Sequence, residues 1–177
     1  MRRFRETFLC TPPDRCHTVG RVRIETIPVS PWTANCYLIA ADPDENGCLV
    51  VDPGVKGSEL VSAALNRLGW HPEVILCTHG HLDHVGDAAT LAAVWDVPVR
   101  CAKADQEMLT RPSAGLGTRL VPLIRQLLGE DLLERPADLR DHEVFQVPCG
   151  LEIRPHIRDI PPDRHSWRSG TTPGRCC

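Results

Sequence analysis

Between Thr78 and Gly86 the chain reads Thr-His-Gly-His-Leu-Asp-His-Val-Gly, which places His79, His81, Asp83 and His84 within six positions. Neutral imidazole and carboxylate are ligands that suit Zn²⁺, and Fe or Mn with lower preference. A structural zinc clip would more often use cysteine, and none of the nine cysteines lies in this segment. The spacing suits two ions better than one. In a tight loop His79 and His81 can turn to the same side and grip one ion. Asp83 and His84, at the start of a following helix, then point to a neighbouring position. Two ions close together share a water, lower its pKa towards neutrality and polarise a carbonyl. The pattern reads as a hydrolytic metal site, because three imidazoles so close together after an apolar run are hard to obtain as an idle polar loop.

The elements that must hold these residues are legible around them. Val74-Ile75-Leu76-Cys77 has the length and composition of a buried strand, so the cluster sits on the loop leaving its C-terminal end. Open α/β sheets place their ligand sites at that edge. Upstream, Val22 to Val29 alternates as a strand, with Val22, Ile24 and Thr26 on one face and Arg23 and Glu25 on the other. Cys36 to Ala40 and Cys48 to Val51 are two more strands, joined by the polar turn Asp42 to Gly47. Ser58 to Leu68 is amphipathic, with Ser58 as N-cap and Gly69 as stop. A second helix runs from Asp87 to Trp95 and a further strand from Val97 to Cys101, and residues 103–134 are helix-rich, a wall or lid over the site. Strand alternating with helix is the α/β signature. Asp52, ending a buried strand before Pro-Gly, either caps the turn or supports a metal ligand through a hydrogen bond. His17, His71 and His142 stand alone and read as surface or loop residues.

Composition narrows the class. A chain of 177 residues is the size of one domain with a real core. Its formal charge of −3, with 20 Lys and Arg scattered along its length, argues against a nucleic-acid partner. No apolar run approaches a membrane span, and Arg2, Arg3 and Arg5 interrupt the start, so neither a membrane partner nor a signal peptide is expected. Cys36, Cys48, Cys77 and Cys101 lie in or beside apolar runs as small hydrophobes. An odd cysteine count without framework spacing favours a reducing cytoplasm. Residues 1–20, with the turn-forming cluster Thr11-Pro12-Pro13-Asp14-Arg15, read as an N-terminal arm.

Thr-His-x-His-x-Asp-His-x-Gly, present as Thr78 to Gly86, resembles the signature of the metallo-β-lactamase superfamily. Asn35-Cys36-Tyr37-Leu38-Ile39 and Leu49-Val50-Val51-Asp52-Pro53-Gly54 are similar to its second and third strands. The wording is closest to the glyoxalase II-like branch, and the likeness covers roughly residues 21–154. The resemblance implies an αββα sandwich, of which this chain holds the N-terminal half and part of the second half. It implies two zinc ions, with Fe or Mn as alternatives: His79 and His81 on the first, Asp83 and His84 on the second. A metal-bound hydroxide would attack the carbonyl of a small-molecule thioester or ester, and Asp83 would be the catalytic residue that orients it or passes a proton to the leaving group. Asp52 would support the site from behind.

Where the resemblance calls for a third histidine in a His-Thr-Pro-Gly-His-Thr segment, this chain has Arg154-Pro155-His156-Ile157-Arg158-Asp159-Ile160-Pro161-Pro162-Asp163-Arg164-His165. No strand or helix period survives there. Permitted codons for Asp159 to His165, read two nucleotides later, give His-Thr-Pro-Gly-Gln-Thr. A slipped frame therefore accounts for the tail better than divergence. The expected organisation is an arm over 1–20, an incomplete domain over 21–154 and a disordered, out-of-frame tail over 155–177, with neither His156 nor His165 near the cluster. The alternative function is a non-catalytic fragment of such an enzyme, lacking the later metal ligands.

Overall fold

The architecture comes from a computed structural model, in which residues 16–19, 22–41, 46–115, 121–129 and 132–154 are described. Seven strands lie side by side in sequence order: β1 (Cys16–Val19), β2 (Val22–Val29), β3 (Ala34–Ala40), β4 (Gly47–Val51), β5 (His71–Leu76), β6 (Val99–Arg100) and β7 (Leu139–Arg140). The first four pair antiparallel, and β4 to β7 pair parallel. Each parallel pair needs a crossover. Helix α1 (Ser58–Leu68) makes the first, and α2 (Leu82–Val85) with α3 (Ala88–Trp95) make the second. The third contains 3₁₀ turns at Lys103–Leu109 and Pro112–Gly115, then α4 (Val121–Leu128).

Strand β4 shows how the layers are built. All five of its residues are buried, because its pleat feeds two cores at once. Cys48 and Val50 join the helix-side core, where Val61, Ala64 and Leu65 of α1 and Ala88, Leu91 and Ala92 of α3 cover Cys36, Leu38, Ile75 and Val99. Leu49 and Val51 face the other way, against Phe145, Val147 and Cys149. The last three belong to the hairpin of β8 (Phe145–Gln146) and β9 (Glu152–Ile153), which among the described residues is the whole second sheet. The α/β class and the helix–sheet–sheet layering follow the expectation from sequence.

Several details differ from it. The segment read as an N-terminal arm contains β1, which pairs with β2 from Cys16↔Glu25 to Val19↔Val22. In β2 the buried positions are Glu25, Ile27 and Val29, while Val22, Ile24 and Thr26 are only partly covered. The charged face turns inward because α1 and the turn after it supply partners: Arg67 pairs with Glu25, and Arg23 lies 4.8 Å over the Trp70 ring. Strand β5 begins three residues before the apolar run and ends at Leu76, and β6 is confined to Val99–Arg100. Single backbone bonds from Cys77 to Arg100 and from Cys101 to Arg140 extend the alignment past both strands. Gly57, not Ser58, occupies the N-cap of α1, and Gly69 stops the helix at φ 68°. The helix-rich stretch after residue 103 is largely 3₁₀. Residues 155–177, His156 and His165 among them, lie outside the described residues, as do 1–15 and most of the turn after β3.

Candidate metal centre

The loop bearing the histidines leaves the C-terminal edge of β5, and Asp52 leaves the same edge of β4 beside it. Asp52 is 3% exposed and adopts φ 52°, a left-handed conformation that Asp tolerates better than most residues. That turn aims its carboxylate across at the neighbouring loop. Oδ1 accepts the Thr78 backbone N–H at 2.7 Å, and Oδ2 accepts the Thr78 hydroxyl at 2.6 Å. Oδ2 also lies 2.9 Å from His84 Nδ1. Of the two readings of Asp52 from sequence, these bonds favour support over turn-capping, since they run to the neighbouring loop that holds the histidines.

These bonds assign the imidazole tautomers. Thr78 Oγ1 donates to Asp52, so at 3.0 Å from His79 Nδ1 it accepts the ring N–H, leaving Nε2 of His79 as the unprotonated nitrogen, which faces His81 Nδ1. His84 likewise donates Nδ1–H to Asp52 and keeps its Nε2 lone pair. Burial, then the neighbouring His84 and His81, hold His79 below the ordinary imidazole range, which keeps it neutral and ligand-competent. Burial pulls His84 downward too, but the hydrogen bond to Asp52 and the charges of Asp52 and Asp83 outweigh it and raise its basicity.

The four residues singled out from sequence come together in two pairs. His79 Nε2 and His81 Nδ1 are 3.1 Å apart, and His84 Nε2 and Asp83 Oδ2 are 3.5 Å apart. The pairs adjoin, since the His79 and His84 ring centroids are separated by 4.2 Å. Two donors about 2.0–2.1 Å from one tetrahedral Zn²⁺ lie roughly 3.3 Å from each other. Both observed separations match that edge, so the donor set fits two neighbouring divalent ions. Among the described residues, no group of three or more such side chains is arranged to hold a single ion.

Around the loop the backbone is packed without slack. A Cβ on Gly86 would come 2.4 Å from Val55 Cβ, and one on Gly54, at φ 73°, would come 3.0 Å from the Asp83 carbonyl oxygen. Gly54 N–H donates to the His84 carbonyl at 2.9 Å. Sequence reasoning missed Asp87, whose carboxylate accepts from Lys56 N and Ser58 N at 3.0 and 2.9 Å and from the Ser58 hydroxyl. An acid directly after Gly86 was visible, but its partners lie about thirty residues away and no local pattern points to them. His71 is exposed beside Glu73, and the partly buried His142 does not join the cluster.

The superfamily domain model matches residues 29–170, and the chain belongs to the metallo-β-lactamase superfamily. The matched span runs past residue 154, where the expected domain ended. The probable metallo-hydrolase YqgX of Bacillus subtilis is 32% identical over 113 residues, 63% of this chain and 48% of that protein. The hydroxyacylglutathione hydrolase GloC of Haemophilus influenzae is 38% identical over 78 residues, 44% of this chain and 35% of that protein. The chain thus spans about half or less of the length of these curated relatives. The crystal structure of the BLEG-1 B3 metallo-β-lactamase superposes with a TM-score of 0.56 at 22% identity, over 71% of this chain and 57% of that one, a likeness of fold. Among the described residues no helix is long and apolar enough to cross a membrane.

Proposed function

We propose that this chain carries the metal-binding half of a hydrolase acting on small thioesters, in the manner of the glyoxalase II-like enzymes. The observation that carries the reading is the pairing of His79 with His81 and of Asp83 with His84 at ligand-edge distances, on a loop braced by Asp52. The partial likeness to a hydroxyacylglutathione hydrolase favours a thioester over the other carbonyl substrates that this fold accommodates.

His79 and His81 would hold one divalent ion and Asp83 and His84 a second, with zinc the ion best suited to this donor set. When bound, the ions supply the Lewis acidity that makes water nucleophilic and a carbonyl electrophilic at neutral pH. The protein's part is to aim the donors and, at His79, to keep the ring neutral. Asp52 fixes the His84 ring through Nδ1 and, by way of the Thr78 hydroxyl, the His79 ring as well. Asp83, a third exposed where Asp52 is sealed, would hold a proton from water and return it to a thiolate leaving group.

Metal analysis of the 177-residue chain tests this, followed by assay with an acylglutathione thioester. The reading expects zinc uptake that falls by about half in His81→Ala, and thioester hydrolysis that falls with it. Uptake without turnover would identify a non-catalytic fragment that lacks the remaining ligands. Unchanged metal content in His81→Ala would remove the site itself.

A further inference from the structure

Asp87 stands at the N-cap of α3, where a carboxylate ordinarily accepts from the first-turn amides of its own helix. It makes no side-chain bond to α3. Both its oxygens are instead turned to the start of α1: Oδ1 accepts Lys56 N–H, and Oδ2 accepts the N–H and the hydroxyl of Ser58. Its own N–H donates to the Gly54 carbonyl at 2.6 Å. The segment it grips holds Lys56 at φ 58°, a left-handed conformation that is strained for a non-glycine residue. Such a turn persists only where surrounding contacts over-determine it. That segment is also the floor of the second ligand pair, since Gly54 N–H bonds the His84 carbonyl and Val55 packs on Gly86, one residue after the α2 turn.

We propose that Asp87 is a positioning residue for the Asp83–His84 half of the metal centre. It ties the Gly54–Ser58 segment to the chain leaving α2, so that the one-turn helix bearing Asp83 and His84 is clamped from both ends: by Asp52 at the His84 ring and by Asp87 through the backbone behind it. A four-residue helix has too few internal bonds to hold its own orientation. His79 lies before that helix and is braced through Thr78 instead, and His81 stands at its N-cap, so Asp87 bears most directly on Asp83 and His84. This inference rests on the metal-centre reading above.

The test is a Co²⁺ titration of the 177-residue chain, followed by absorbance and calorimetry, for wild type, Asp87→Ala, Asp83→Ala and the double variant, with thermal midpoints measured alongside. Asp87→Ala should weaken Co²⁺ binding about tenfold or more, the range for loss of a partner that orients a ligand. In the Asp83→Ala background the same change should have almost no effect, because the pair it supports is already broken. Asp87→Asn, which keeps one accepting oxygen, should recover part of the loss. A merely structural cap would lower the thermal midpoint and shift affinity equally in both backgrounds, and that result overturns the proposal. So does an Asp87→Ala affinity equal to wild type. A wild-type chain that takes up no Co²⁺ would instead break the metal-centre reading, and this inference with it.

Discussion

The two faces of the seven-stranded sheet are covered very differently. On the helix side, α1 and α3 complete a continuous core of twenty buried residues that includes Ile75, Val50 and Leu38; on the other side six buried residues under one short hairpin do the same work, among the described residues. The metal loop stands with the first group: Val85 of α2 is in the helix-side core, and Asp52 and the loop histidines close over its end. The four candidate donors, His79, His81, Asp83 and His84, all stand at the edge of this better-packed side.

The largest effect that can sharpen this comparison is on stability. Ile75→Ala, in the middle of the helix-side core, should cost about 4 kcal/mol. Phe145→Ala should cost about half as much, because a two-residue strand can shift into the space left. Denaturant unfolding of both variants measures this, and equal losses would mean that the hairpin is as firmly packed as the helices. Asp52→Ala comes next. It leaves the Thr78 N–H, the Thr78 hydroxyl and His84 Nδ1 without their acceptor, which should cost about 3 kcal/mol and weaken metal binding tenfold or more. Metal uptake equal to wild type would show that the brace is dispensable.

The buried thiols make stability depend on pH. Burial pushes Cys48 and Cys101 up to about 12, from the ordinary 9.0, and raises Cys36 and Cys77 as well. All four lie in the helix-side core. Above pH 9 the unfolded chain releases thiol protons that the folded chain retains, so stability is full below that pH and falls as pH rises towards 12. The slope is about 1.4 kcal/mol per pH unit for each such thiol. Urea unfolding between pH 8 and roughly 10.5 checks the sign, and a flat profile would contradict the burial of these thiols. The smallest effect concerns Cys149, the one cysteine of the hairpin-side core. It should react with a thiol reagent roughly tenfold faster than Cys77 under native conditions, because local opening of the short hairpin exposes it. Peptide-resolved mass spectrometry distinguishes the two, and matched rates would erase the difference between the faces.

Much of the site was legible in the chain because its information is local. His79, His81, Asp83 and His84 are neighbours in sequence, the strand that presents them announces itself as an apolar run, and α1 declares its face by its period and its end by Gly69. Which face of β2 turns inward was not legible, for the opposite reason. Arg23 and Glu25 look solvent-facing until Arg67 near the end of α1 and Trp70 just beyond it lie over them. Alternation reports the polarity of a strand, and only its neighbours decide which side is covered.

The sequence by itself determined the ligand types, their spacing and the α/β order of the elements, since ligand chemistry and hydrophobic period are properties of adjacent residues. Only the tertiary structure decided the tautomers and the clamp. Asp52 reaches Thr78 and His84 from another strand, and Asp87 leaves its own helix to hold Lys56 and Ser58. Both carboxylates serve donors some thirty residues distant. Their partners are set by how β4, β5 and α1 converge at one edge of the sheet, which no local pattern encodes.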